Sequence, residues 1–293
     1  AHSVTGKERD QSHFDFETRL VHFLPDVNPY RRPEGMSIEA WCDAKVADLE
    51  NAIAQIGAEN IGAFIAEPIL SSGGVIVPAP GYHKRTWEIC RANDILYISD
   101  EVVTGFGRLG HWFASEEVFG IQPDMITCAK GLTSGYLPLG ACIMSDRVME
   151  QMSHLGTSST FTNGYTYSGH PVACVAALKN IEIIEREGIL EHVRAITPHF
   201  QARLRELMRF DIVGDARGEG LLGCIECQAE DLEAERRLGA MIDAACEERG
   251  LIVRPLINMA VFSPPLIITL AQIDEMFDIL ERAIQQVEAQ LAL

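Results

Sequence analysis

Five lysines occur in the 293-residue chain, and Lys130 stands apart from the others: it leaves the apolar run Met125-Ile126-Thr127-Cys128-Ala129 and is followed by Gly131. A lysine at the mouth of a buried strand is set up for partial burial. Burial disfavours the charged ammonium, lowers the amine's pKa and makes it a better nucleophile toward a carbonyl. The same position also suits a lysine that lays its stem on apolar surface and keeps its head in water, so the spacing alone leaves both readings open. Asp100 ends a second apolar run, Ile95-Leu96-Tyr97-Ile98-Ser99. A carboxylate there calls for a cationic partner, and a protonated pyridine nitrogen would serve. Such a pair makes chemical sense together: the amine condenses with a carbonyl, while the carboxylate keeps a ring protonated as an electron sink for a carbanion formed by loss of an α-proton.

The elements that must position these two residues are legible in the apolar pattern. Pro25, Pro29 and Pro33 keep residues 1–37 from forming a long helix, and the segment reads as irregular and surface-lying. Helical spacing runs from Ile38 to Ile56 and from Tyr82 to Ala92; strand-like runs lie at Ile61 to Ala66, Ile95 to Ser99, Met125 to Ala129 and Leu139 to Ser145. Helices alternating with wholly apolar strands predict an α/β unit with a mostly parallel sheet covered on both faces, its ligand just past the strand ends. Long amphipathic patterns follow at Val172 to Glu187 and Ile189 to Arg209. A smaller α+β unit then has strand formers in Asp211 to Cys227, a helix over Leu232 to Arg249, short strands at Leu251 to Val253 and Ala260 to Ser263, and a closing helix over Gln272 to Leu291. The expected division is a large domain over 1–187 and a small domain over 188–293.

Against this frame the sequence resembles the class III (ω-amino acid and amine) aminotransferases, which are pyridoxal-phosphate enzymes of fold type I. The resemblance is carried by Ala66-Glu67-Pro68-Ile69, Gly73-Gly74-Val75-Ile76-Val77-Pro78, Asp100-Glu101-Val102-Val103-Thr104-Gly105-Phe106-Gly107-Arg108, Ala129-Lys130-Gly131-Leu132, Thr166-Tyr167-Ser168-Gly169-His170-Pro171 and Ser263-Pro264-Pro265-Leu266. These blocks stand in the family's order at similar spacing over essentially the whole chain. The resemblance implies pyridoxal 5'-phosphate as cofactor. It implies Lys130 as the residue that bonds to it and then moves the proton between substrate and cofactor carbons, Asp100 as the partner of the pyridine nitrogen, and Val102 as packing on one ring face. Thr166 would reach the phosphate of a neighbouring subunit's cofactor, which requires a homodimer with shared sites.

One departure narrows the subgroup. Ornithine- and γ-aminobutyrate-type members carry an arginine three residues before the Pro-Pro pair, where this chain has Val261. Amine:pyruvate-type members instead carry an arginine at the position of Arg254, ten residues before Pro264, and the resemblance implies that it binds the carboxylate of substrate or of the 2-oxo acid acceptor through two parallel hydrogen bonds. A surface salt bridge is the competing role for Arg254. Glu67 lacks its usual gating partner, so a structural and a functional role stay open. The expected activity is transfer of an amino group from an amine or ω-amino acid to pyruvate or a similar 2-oxo acid. Decarboxylases and aminomutases share the fold and the lysine, and a non-catalytic relative acting as a structural partner is the alternative from outside enzymology. The family carries a long stretch before the point at which this sequence begins, holding its phosphate loop and ring-stacking aromatic; the resemblance thus implies a chain without that N-terminal part.

Other features point away from other functions. A formal net charge of -18 opposes nucleic-acid binding, which needs clustered Lys and Arg. No apolar run approaches the roughly 20 residues that span a bilayer, and the polar first residues are not a signal peptide, so a cytoplasmic protein is expected. Eight cysteines scattered in apolar segments read as buried thiols of a reducing compartment. Cys224 and Cys227 lie three apart in a strand-like stretch, on opposite faces, without a second pair, and no metal site is expected. Gly105-Phe106-Gly107-Arg108-Leu109-Gly110 satisfies a dinucleotide pattern but lacks the strand directly before it and the helix opening within it, so it reads as a glycine-rich turn. The histidines, His170 included, pair with no Cys or Ser in a nucleophile motif.

Overall fold

A computed structural model describes residues 2–6, 13–154 and 161–291. Strands β1 (Ala63–Ala66), β2 (Leu96–Asp100), β3 (Met125–Cys128) and β4 (Ala141–Met144) form one sheet in that order. The first three are parallel and β4 is antiparallel to β3. Helix α1 (Ile38–Ile56) starts where the Ser37 hydroxyl accepts the Ala40 amide, and α2 (Tyr82–Ala92) connects β1 to β2. Alternation along β2 sends Tyr97 and Ser99 to one face and Ile98 and Asp100 to the other. The Tyr97 face is buried: Leu49 and Ile53 of α1 and Cys90 of α2 pack there with Ile95 and Tyr97.

The opposite face departs from the expectation of a sheet covered on both sides. Ile65 is 41% exposed there and Cys142 is exposed, while Ile98 and Asp100 are half-buried. The reason is that α1, α2 and the later α5 (Pro171–Arg186), whose Ala177 packs on Cys128, all cover the Tyr97 side. Between β2 and β4 lie the short α3 (Ala114–Glu117) and, after β4, α4 (Asp146–Ser153).

Beyond α5, α6 (Ile189–Glu206), α7 (Leu232–Glu247) and α8 (Leu270–Leu291) enclose a second sheet. Its strands β5 (Val213–Glu219), β6 (Leu222–Cys227), β7 (Arg254–Leu256) and β8 (Met259–Phe262) are antiparallel in the order β5-β6-β8-β7. Alternation along β6 puts Cys227 and Ile225 against the helices, with Phe200 and Phe277 in edge-on contact at 5.3 Å, and puts Cys224 and Leu222 against Ile69, Val75 and Leu109 of the first unit. The two cysteines thus face opposite ways and are both buried.

A strand expected at Leu251–Val253 instead lies at Arg254–Leu256. Gly250, at φ 80°, closes α7, and the Leu251 amide bonds back to the Cys246 carbonyl at 3.0 Å, so Leu251 belongs to the helix cap. The N-terminal segment is irregular as expected but less superficial: Val27 and Asn28 are buried, and Arg31 pairs with the buried Glu226.

Candidate active site

Asp100 and Lys130 leave adjacent parallel strands at the same end of the sheet. Asp100 is in register with Thr127, three residues before Lys130, and the Glu101 amide extends the ladder to the Thr127 carbonyl at 2.9 Å. This is the carboxyl end of the strands, where open α/β sheets hold their ligands. Asp100 Oδ1 accepts the Val102 amide at 3.1 Å, and among the described residues no Lys or Arg pairs with it. A half-buried carboxylate without a cation fits a protonated ring nitrogen as partner.

Lys130 turns sharply out of β3. Its φ is 38°, in the left-handed region that side chains avoid, and it opens a single turn over residues 130–132. That turn is clamped from two sides. The Asn180 amide of α5 donates to the Gly131 and Leu132 carbonyls at 2.8 and 3.2 Å. A Cβ on Gly131 would lie 2.9 Å from the Phe106 Cβ, so the glycine lets the lysine turn press against the loop that follows Asp100. Lys130 is exposed, contrary to the partial burial expected of it, because it sits beside an open cleft of about 740 Å³ lined by Ala129, Thr133, Leu137 and Leu139.

The loop after Asp100 is anchored by a residue that the sequence did not single out. Glu101 is 1% exposed, and its carboxylate accepts the Thr104 hydroxyl at 2.7 Å, the Ala114 amide at 2.8 Å, and the Ser115 amide and hydroxyl at 2.7 and 2.5 Å. Strand alternation is the signal that could have found it, since the residue after Asp100 must face the buried side. Arg108 closes the loop, donating to the Leu221 and Pro264 carbonyls at 3.2 and 2.6 Å; desolvation lowers its pKa to about 10, still well above neutrality. The glycine-rich turn between them carries no helix, consistent with its reading as a turn.

The remaining candidates lie around this centre. Val102 is half-buried directly beyond Asp100. Thr166 is exposed in the turn before α5, where the Tyr165 amide bonds the Ser168 hydroxyl at 3.0 Å. Arg254 opens β7 in register with Val261. Antiparallel partners share a face, so Arg254 stands on the side of the small sheet where Val261 meets Ile69 and Val75. It is exposed, and among the described residues no carboxylate pairs with it. Glu67 accepts the Ser71 amide at 3.2 Å, tying the turn after β1. Among the described residues no group of three or more His, Cys, Asp or Glu side chains is arranged to hold a metal ion, and no helix is long and apolar enough to cross a membrane.

A model of the class III aminotransferases matches residues 1–284. The putrescine–pyruvate aminotransferase of Pseudomonas aeruginosa is 41% identical over 277 residues, which are 92% of this chain and 59% of that protein. Gamma aminobutyrate transaminase 3 of Solanum lycopersicum is 40% identical over 284 residues, 94% of this chain and 53% of that one. A PLP-bound aminotransferase mutant from Vibrio fluvialis superposes with a TM-score of 0.86 at 37% identity, covering 91% of this chain and 60% of its own. The chain therefore belongs to the class III aminotransferase family and has the α/β fold of the fold type I pyridoxal-phosphate enzymes. It spans 53% to 60% of the length of these three relatives.

Proposed function

We propose that this protein is a pyridoxal-phosphate-dependent transaminase that moves an amino group from an amine or ω-amino acid to pyruvate or a similar 2-oxo acid. The observation that carries the reading is the placement of Lys130, on a strained turn beside an open cleft, at the same sheet end as the Asp100 carboxylate on the neighbouring strand. When bound, pyridoxal 5'-phosphate supplies a conjugated electron sink for the substrate's α-carbon. Lys130 would hold the cofactor through its ε-amine, and the same amine, when free, would take and return the substrate's α-proton as a general base. Asp100 would accept a charge-assisted hydrogen bond from the protonated ring nitrogen and keep it protonated, and Val102 would pack against the ring. Arg254 binds the acceptor's carboxylate and turns aside for an uncharged amine.

Thr166 acts across a homodimer, donating to the phosphate held by the partner subunit. The apolar surface beside it supports such an interface: Tyr165 and Tyr167 are exposed, and Val172, Val175 and Leu178 line one exposed face of α5. In this reading the large domain covers 1–187, the small domain 188–293, and the protein works in the cytoplasm. Relatives named for putrescine–pyruvate and for γ-aminobutyrate match at nearly equal identity, 41% and 40%, so the acceptor assignment rests on Arg254 and the donor is an amine or ω-amino acid.

The test is the visible absorption of the purified protein with pyridoxal phosphate. The wild type gains a band that an amine donor bleaches and pyruvate restores, and Lys130→Ala gains none. Absence of the band in the wild type, or an equal band in the variant, would overturn the reading.

A further inference from the structure

Asp100's neighbour in the sheet is a hydroxyl with nothing to bond. Thr127 lies in register with Asp100 on the adjacent parallel strand, so the two side chains share the open face, with strands about 4.8 Å apart. The Thr127 hydroxyl oxygen is buried and has no hydrogen-bond partner among the described residues. A buried unpaired hydroxyl costs stability, and a valine of the same shape would carry no such cost. Asp100 has room for a second donor: one carboxylate oxygen accepts the Val102 amide, its one side-chain hydrogen bond among the described residues. A carboxylate is an acceptor only, and a threonine hydroxyl is a donor that turns about one bond.

We propose that Thr127 is a positioning residue for Asp100. Its hydroxyl, unpaired in the structure, takes up the Asp100 carboxylate as acceptor when that carboxylate turns to meet the ring nitrogen of the cofactor, and so holds it in the binding orientation. The inference rests on the reading of this site as a pyridoxal-phosphate site and adds a residue to it. Two donors, the Val102 amide and the Thr127 hydroxyl, then fix the carboxylate from its own strand and from the next, and the ring nitrogen takes the remaining lone pair. The strain at Lys130, three residues further along the same strand, makes β3 the element that sets both contacts to the cofactor.

The experiment measures the dissociation constant of pyridoxal phosphate for the wild type, Thr127→Val, Thr127→Ser, Asp100→Asn and the Thr127→Val/Asp100→Asn double variant, together with the melting temperature of each protein without cofactor. Thr127→Val is expected to weaken cofactor binding by about five- to tenfold, and Thr127→Ser, which keeps the hydroxyl, by less than about twofold. Thr127→Val without cofactor should melt no lower than the wild type. In the Asp100→Asn background the valine substitution should have no further effect, since its route to the cofactor is gone. A merely structural role would lower the melting temperature and act equally in both backgrounds. Unchanged affinity in Thr127→Val, or an equal loss in both backgrounds, overturns the proposal and leaves the transaminase reading standing. A wild type that binds no pyridoxal phosphate overturns both.

Discussion

Arg254 and Val261 face each other across β7 and β8, and in this pair one residue is exposed and charged while the other is buried and apolar. An exposed arginine that pairs with no carboxylate among the described residues is available to an anion from solvent. Arg254→Ala is expected to raise the KM for pyruvate by about tenfold or more, because a two-point charge-assisted contact is lost, while the reaction of an uncharged amine changes little. Steady-state kinetics with pyruvate varied, and single-turnover bleaching by the amine, separate the two. A parallel loss in both would point to a structural arginine. Lys130 and Asp100 were legible in the sequence because each ends an apolar run, where a charge has few innocent explanations. Lys130's exposure was not, since it depends on which sheet face the helices choose. Thr127 was hidden because threonine is an ordinary strand former, and only the register to Asp100 gives its hydroxyl a role.

Two short turns hold the site, and each stores strain that packing must offset. Phe106 and Lys130 both adopt positive φ, 57° and 38°, at a cost of roughly 1–2 kcal/mol each. The Glu101 carboxylate secures the first of these turns through four hydrogen bonds, and Asn180 of α5 secures the second. Glu101→Gln places an amide donor against the Ala114 and Ser115 donors in a site 1% exposed. The expected loss is about 2–4 kcal/mol of stability, with weaker cofactor binding because Asp100 loses its support, measurable by denaturant unfolding and by titration with pyridoxal phosphate. A variant as stable as the wild type would show that the loop is held by something else. Element boundaries were readable where local chemistry punctuates them: Ser37 caps α1 and the helix spans Ile38–Ile56 as expected. They were misread at β7, where Gly250 drew Leu251 into the cap of α7 and moved the strand three residues on.

At the scale of the molecule, the second unit is locked onto the first by polar contacts around an apolar seam. Arg108 reaches the Leu221 and Pro264 carbonyls, and Arg217 reaches the Gly74 carbonyl at 2.9 Å while pairing with Asp215 and the buried Glu226. Beneath this seam His83 is buried between the Tyr97 hydroxyl at 3.0 Å and the Pro68 carbonyl at 2.9 Å, with the Tyr82 and Phe119 rings against it. Desolvation lowers its pKa to about 4 from 6.5. The unfolded chain therefore binds this proton more readily than the folded one, and stability from His83 is full above pH 6.5 and drains away as pH falls toward 4. The integrated loss is on the order of 3 kcal/mol. Urea unfolding at pH 7 and at pH 4.5 should show a smaller acid-induced drop for His83→Gln than for the wild type; equal drops would remove His83 as the cause.

The mixed sheet of the first unit ends in β1 and β4, four-residue strands with no proline or charge, whose outer backbone groups meet no strand among the described residues and whose Ile65 and Ile143 are 41% and 45% exposed. Such a rim is a template for aggregation, since any extended segment offered to it can continue the ladder. What opposes that association is the formal charge of -18, which keeps copies of the chain apart until dissolved salt screens it. Colloidal stability of this chain should thus fall as ionic strength rises, the reverse of what a protein held in solution by its hydration alone would do.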